Sequence, residues 1–342
     1  MKTLNSWLIL FVSIISLFAC NSEEIINQTN PQLHVLGHTV GNTNSDGVVL
    51  WNAEKTVDMS ATATGLDIKF GYYHNQDIYI GGSYKYRKNQ QLITAINSTE
   101  SNAMVIAYKV FQNQLSYFYR STPGGFTRPN FYLQEGNNTV LIASNNQGAV
   151  HNLADITKLD NEYFAVGTQG INGVVKSVML RIAGGTQQSI SLSEDDSFSP
   201  RYIYANKTKL YIVGAYFEAN SKLYIAVLKL NPDGSGKEII KLAKANAQSN
   251  YGSQSPMIFE GDDFYLSGMN NGKACYWKNN AEGLQYFSNV NGSIANSLVK
   301  HGNDVYGVGY ENGASTCWKN ASTYAKLNMN GKDIQPLHIF IK

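Results

Sequence analysis

From Gln32 to its end the chain alternates short runs of apolar and polar positions, with Gly, Asn and Asp clusters between them. Runs such as "DIYIG" from Asp77, "EYFAVG" from Glu162, "KLYIVG" from Lys209, "DFYLSG" from Asp263 and "DVYGVG" from Asp304 are rich in β-branched and aromatic residues. They show no helical period, so they predict strands. Ahead of several stands a turn: "HNQD" from His74, "QNQL" from Gln112, "LDNE" from Leu159, "EGDD" from Glu260 and "HGND" from His301. Asn, Gly and Asp at the central positions suit the positive φ of tight hairpins. After each run comes a polar connection and a third strand, seen as "VVLWN", "ACYWKN" and "STCWKN", then a fourth such as "KEIIKLA" or "STYAKLN". The pattern therefore predicts units of four antiparallel strands.

The second strand of the unit repeats as a phrase that ends on glycine at Gly37, Gly82, Gly167, Gly214, Gly268 and Gly309. In "LSYFYR" the phrase places Arg120 where the others have glycine. Successive anchors lie 45, 38, 47, 47, 54 and 41 residues apart, a period that signals propellers or solenoids. Four strands per period select the propeller. The first unit opens at its second strand, "QLHVLG", and the chain closes on an inner strand, "DIQPLHIFIK", so the two ends together complete one blade. The expectation is an all-β, seven-bladed β-propeller over residues 31–342. Its ring would be closed by the C-terminal strand pairing with the N-terminal blade, which removes unpaired sheet edges. The repeated glycine is expected to make room for an adjoining loop or blade. The aromatics three positions earlier (Tyr79, Tyr117, Phe164, Tyr211, Tyr265 and Tyr306) and Trp51, Trp277 and Trp318 are expected in the core.

The first residues, "MKTLNSWLILFVSIISLFAC", carry Lys2, an apolar run from Trp7 to Phe18, and a small residue before Cys20. This is the layout of a secretion signal, and the run is shorter than a bilayer-spanning helix needs. Leu17-Phe18-Ala19-Cys20 resembles the lipobox of bacterial lipoproteins. The resemblance implies a signal peptide over residues 1–19, lipidation at Cys20, and a membrane partner reached through that anchor. The polar stretch 20–30 then reads as a tether. Asn21 is not the aspartate that retains lipoproteins at the inner membrane, and Glu23 and Glu24 resemble a Bacteroidota surface-export signal. The "VYxxG … YWKN" phrase of the last two blades resembles repeats in uncharacterised Bacteroidota propeller lipoproteins. Blades two to five depart from it, with "KYRKN", "NFYLQ", "VMLRI" and "AVLKL" where tryptophan would fall. The implied location is the bacterial outer membrane, lipid-anchored and open to cell-surface exposure.

The 27 basic and 25 acidic residues nearly cancel without clustering, which excludes a nucleic-acid partner as the leading reading. Cys275 precedes Trp277 by two residues and Cys317 precedes Trp318 by one, so the two thiols are expected on opposite strand faces, buried and unbridged. "NTNSDG" (residues 42–47) opens like a calcium loop but lacks the later ligands, and no histidine spacing fits zinc. No cofactor or metal is expected.

Candidate residues concentrate on the loops that join second to third strands and blade to blade. They are Phe126 and Arg128, Arg201, Tyr216 and Phe217, and Tyr251. Aromatic rings stack on sugar faces, and amides take the hydroxyls. The preferred function is therefore a binding or scaffolding module for a glycan or an envelope protein. The alternative is a polysaccharide hydrolase or lyase using Glu194, Asp195 or Asp196 with Glu218. Glycoside hydrolysis usually needs two carboxyl groups across the substrate.

Overall fold

The computed structural model describes residues 32–39, 48–52, 55–58, 70–89, 91–94, 103–122, 129–145, 149–171, 173–194, 197–218, 222–246, 249–252, 256–329 and 332–341. The described strands form seven antiparallel sheets, which are the seven blades of a β-propeller. Blade 1 takes its inner strand, Lys332–Ile341, from the end of the chain and adds Leu33–Thr39, Val48–Asn52 and Lys55–Asp58. Blades 2 to 5 start from the inner strands Phe70–His74, Met104–Phe111, Ala149–Leu159 and Phe198–Asn206. The inner strand of blade 6 comes in two pieces, Asn250–Tyr251 and Met257–Glu260, and that of blade 7 is Ser293–His301. The expected closure is present, with Leu33 opposite Ile341, Val35 opposite Ile339 and Leu36 opposite His338.

The core lies between blades. Phe118, Phe131, Leu133 and Ile156 pack between blades 3 and 4, and Phe164, Phe198, Ile203 and Ile212 between blades 4 and 5. Trp277 and Trp318 are fully buried, as their third-strand positions predicted, and Trp51 is nearly so. Cys275 sits in the cluster between blades 5 and 6, and Cys317 in the one between blades 7 and 1. Both thiols are free, and burial raises their pKa.

The repeated glycine has a different reason from the expected one. A Cβ on Gly167, Gly214 or Gly309 would stand 2.2, 2.2 or 1.9 Å from the carbonyl oxygen of Asn152, Ser199 or Ile294, each on the inner strand of the same blade. The crowding comes from a β-bulge there: the ladders skip a residue between Leu153 and Asp155, Pro200 and Tyr202, and Ala295 and Ser297.

Blade 3 corrects the alignment by one residue. Phe111 pairs with Gln114 across the two-residue turn Gln112–Asn113, whose φ angles are 47° and 66°. Counted from that turn, Ser116 takes the place of the buried aromatic, Tyr119 the place of the glycine, and Arg120 the next position. A slip of one residue moves each side chain to the other face of the strand. Tyr117 is accordingly half-buried, whereas Ser116 is fully buried.

Three blades share a side-chain clasp that explains the Lys-Asn pair in the repeat. In blade 2, Asn89 donates from Nδ2 to Asp77 at 2.7 Å and accepts from the Ile78 amide at 2.9 Å, while Lys88 pairs with Asp77 at 2.7 Å. Asn279, Phe264 and Lys278 around Asp263, and Asn320, Val305 and Lys319 around Asp304, repeat it. Each asparagine holds a positive φ, 53°, 63° and 51°, which asparagine tolerates better than most residues. In each blade the lysine ammonium also lies over the strand's tyrosine ring at 5.6 to 5.8 Å. "KYRKN" therefore departs from the repeat only at the tryptophan.

The seam where blade 1 meets blade 2 is aromatic. Tyr73 stacks on Phe340 at 4.3 Å, His34 on Phe340 at 5.3 Å, and Tyr72 on His338 at 5.3 Å. His338 Nδ1 is sealed from solvent without a hydrogen-bond partner, and burial pushes the imidazole pKa down to about 4. The neutral ring is the form the seam accepts. Stability from this group is complete above the unfolded value near 6.5 and is lost as pH falls from there toward 4, by at most about 3 kcal/mol. Urea midpoints measured between pH 7.5 and 4.5 should fall more steeply for the wild type than for His338→Phe; equal slopes would refute this.

Candidate functional site

The inner strands of blades 1 to 5 surround an axial cavity of about 670 Å³, within the size range of small-molecule sites. The bulges shape it. Ile106, Ala154, Arg201 and Leu337, the residues skipped by the ladders of blades 3, 4, 5 and 1, all line this cavity. Bulges re-aim side chains, and only blade 5 places a charge at that position. Beside them stand His38, Arg120 and Thr168, each one residue beyond the glycine place of its own blade.

A polar cluster crosses three blades at the cavity wall. Lys109 of blade 3 pairs with the buried Asp155 of blade 4 at 2.8 Å. The same carboxylate oxygen accepts from the Ile203 amide of blade 5 at 3.0 Å. The Lys109 ammonium lies 5.1 Å from the centre of the Tyr204 ring. Burial, with Asp155 as a second cause, raises the Tyr204 hydroxyl well above its ordinary pKa, so it remains a neutral donor. Arg201 lies over the Tyr202 ring at 5.9 Å, and Tyr202 meets Tyr251 edge-on at 5.9 Å. Burial raises the pKa of both tyrosines, and the charge of Arg201 offsets part of the rise.

Of the residues singled out from sequence, Arg201 and Tyr251 are thus brought together, and Arg201 lines the cavity. Tyr216 is half-buried beneath Lys241, whose ammonium stands 5.0 Å from its ring, and Phe217 is exposed. Glu218 is held within its own blade by Lys241 at 2.6 Å and the Tyr224 hydroxyl at 3.2 Å. Hydrogen bonding to Lys241 lowers its carboxyl pKa. Glu194 is exposed at the end of blade 4. Neither Glu194 nor Glu218 lines the cavity, and Asp155 is the one carboxylate among its described lining residues. Cys20, residues 42–47, Phe126, Arg128, Asp195 and Asp196 lie outside the described residues. Among the described residues no three His, Cys, Asp or Glu side chains group as a metal site.

Arg120 and the Lys109–Asp155 pair were not among the sequence candidates. Arg120 stands out in the sequence as a break in the glycine phrase, although the register of the strand gives the glycine place to Tyr119. Asp155 inside "HNLADITKL" was a usable signal, since an acidic residue in an inner strand must find a partner.

No protein-family profile matches the chain, and no curated protein matches it. Solved structures do resemble it. An oligogalacturonate lyase in complex with manganese aligns with a TM-score of 0.52 at 11% identity, covering 81% of this chain and 83% of that one. A prolyl endopeptidase aligns at 0.50 and 9% identity, and a puromycin hydrolase at 0.50 and 7% identity, covering 89% and 88% of this chain. This chain spans 49% and 55% of those two proteins, about half their length. At such identities the likeness shows the propeller fold alone.

Proposed function

We propose that this protein is a lipoprotein of the bacterial outer membrane, anchored through Cys20, whose propeller is a binding module for a glycan. The axial cavity is the site in this reading. The observation that carries it is the meeting there of arginine, tyrosine and small polar side chains from neighbouring blades, with Arg201 over Tyr202 at 5.9 Å. Flat rings and guanidinium groups suit sugar faces and polar substituents.

The hydrolase or lyase reading has less support. Its carboxylates would have to converge across a substrate, and Glu218 is already engaged by Lys241 and Tyr224. An envelope-protein partner would instead use the exposed Tyr84, Val174, Val175 and Phe217.

A glycan array probed with the full-length protein in detergent tests the proposal. Wild type and Glu218→Gln should retain the same glycan, Arg201→Gln should lose it, and no glycan should be shortened. Cleaved or unsaturated product would favour the enzyme, and a blank array would favour the protein partner.

A further inference from the structure

We infer that the axial cavity recognises an acidic saccharide, binding a uronate-type carboxylate between Arg120 and Arg201. This rests on the glycan reading above and adds the charge of the ligand.

Charge balance comes first. The described lining residues carry three fixed cations, Lys109, Arg120 and Arg201, against the single carboxylate of Asp155. Its charge is balanced by Lys109 at 2.8 Å, and the Ile203 amide donates to the same oxygen. The carboxylate is buried, whereas both arginines are exposed to the cavity. Among the described residues no carboxylate pairs with Arg120 or Arg201. A concave site with low-dielectric walls and a surplus of positive charge attracts anions.

Geometry then narrows the anion. A guanidinium is a planar fork that matches a carboxylate with two parallel hydrogen bonds. Arg201 is presented by a bulge and held over the Tyr202 ring, while Arg120 enters from blade 3 at the position beyond Tyr119. The cavity is far larger than one phosphate or acetate ion requires. Asn152, Thr168 and Ser199 on its wall supply the donors and acceptors that sugar hydroxyls need.

Calorimetric titration of the full-length protein with trimannuronate, neutral β-1,4-mannotriose and inorganic phosphate tests the inference. Trimannuronate should bind at least about tenfold more tightly than the neutral trimer, since a charge-assisted pair is worth more than a neutral hydrogen bond. Added salt should weaken it. Arg120→Gln and Arg201→Gln should each weaken it about tenfold or more, and Arg201→Lys should recover part of the loss. Arg181→Gln, whose guanidinium pairs with Glu162 and does not line the cavity, should leave affinity unchanged. Thermal melts of every variant check folding, and a variant that melts early is replaced by its lysine counterpart.

Equal affinity for the two trimers would overturn the inference and leave the glycan reading standing. So would phosphate binding as tightly as trimannuronate, which would mean a general anion site. Wild-type affinity in both glutamine variants would overturn it as well. A protein that binds neither these trimers nor any glycan on the array would sink both readings together.

Discussion

Deleting residues 332–342 is expected to leave no folded, soluble protein. Within that segment Lys332–Ile341 is the inner strand of blade 1, and its residues 334–341 pair with Leu33–Thr39. It buries Ile334, Ile339 and Phe340 against the blades on either side and Leu337 at the axial cavity. Four such side chains contribute about 6 to 12 kcal/mol on transfer from water, which is the size of a domain's whole stability of about 5 to 15 kcal/mol. The deletion also leaves a long sheet edge without a partner, a template for aggregation. Expression, gel filtration and circular dichroism read the outcome, and the peptide 332–342 supplied in trans should recover folded material. A soluble monomer with an unchanged β signal and melting curve would show that the ring does not depend on its closing strand.

The second large effect is expected at Asp155. Its carboxylate joins Lys109 of blade 3 to the Ile203 amide of blade 5 from a buried position in blade 4. Asp155→Ala strands the lysine and the amide without their acceptor, and breaking a buried pair from one side costs about 3 to 5 kcal/mol. The double variant Lys109→Met with Asp155→Leu removes both charges, and such exchanges are often neutral or stabilising. Most of the single-variant loss should therefore be recovered in the double variant, apart from the Ile203 amide. Urea denaturation of the two singles and the double closes the cycle. If Asp155→Ala costs under about 1 kcal/mol, no more than an exposed ion pair, the three-blade link carries little stability.

The repeat was legible because several blades, most fully blades 4, 5 and 7, reuse one local solution: a two-residue turn, a buried aromatic, and a glycine opposite a bulge. Those residues act through near neighbours in sequence, as the Asp77, Lys88 and Asn89 clasp illustrates. Blade 3 was misread by one residue because the Gln112–Asn113 turn can be framed in two ways when no glycine follows to mark the register. Of the site, Arg201 and Tyr251 were legible as loop residues near the end of a strand. Arg120 and Asp155 were passed over because their roles arise only when strands from separate blades face one axis.

What the sequence by itself determined is the strand pattern, the period, the number of blades and the way the ends meet. Alternation and turn chemistry are local, and the unmatched first and last strands leave one way to complete the ring. What only the tertiary structure decided is which side chains share the axis. A bulge moves one residue out of the ladder, and the charge partner of Asp155 lies on a strand more than forty positions away. Distance along the chain carries no record of that proximity, because packing around a common centre sets it.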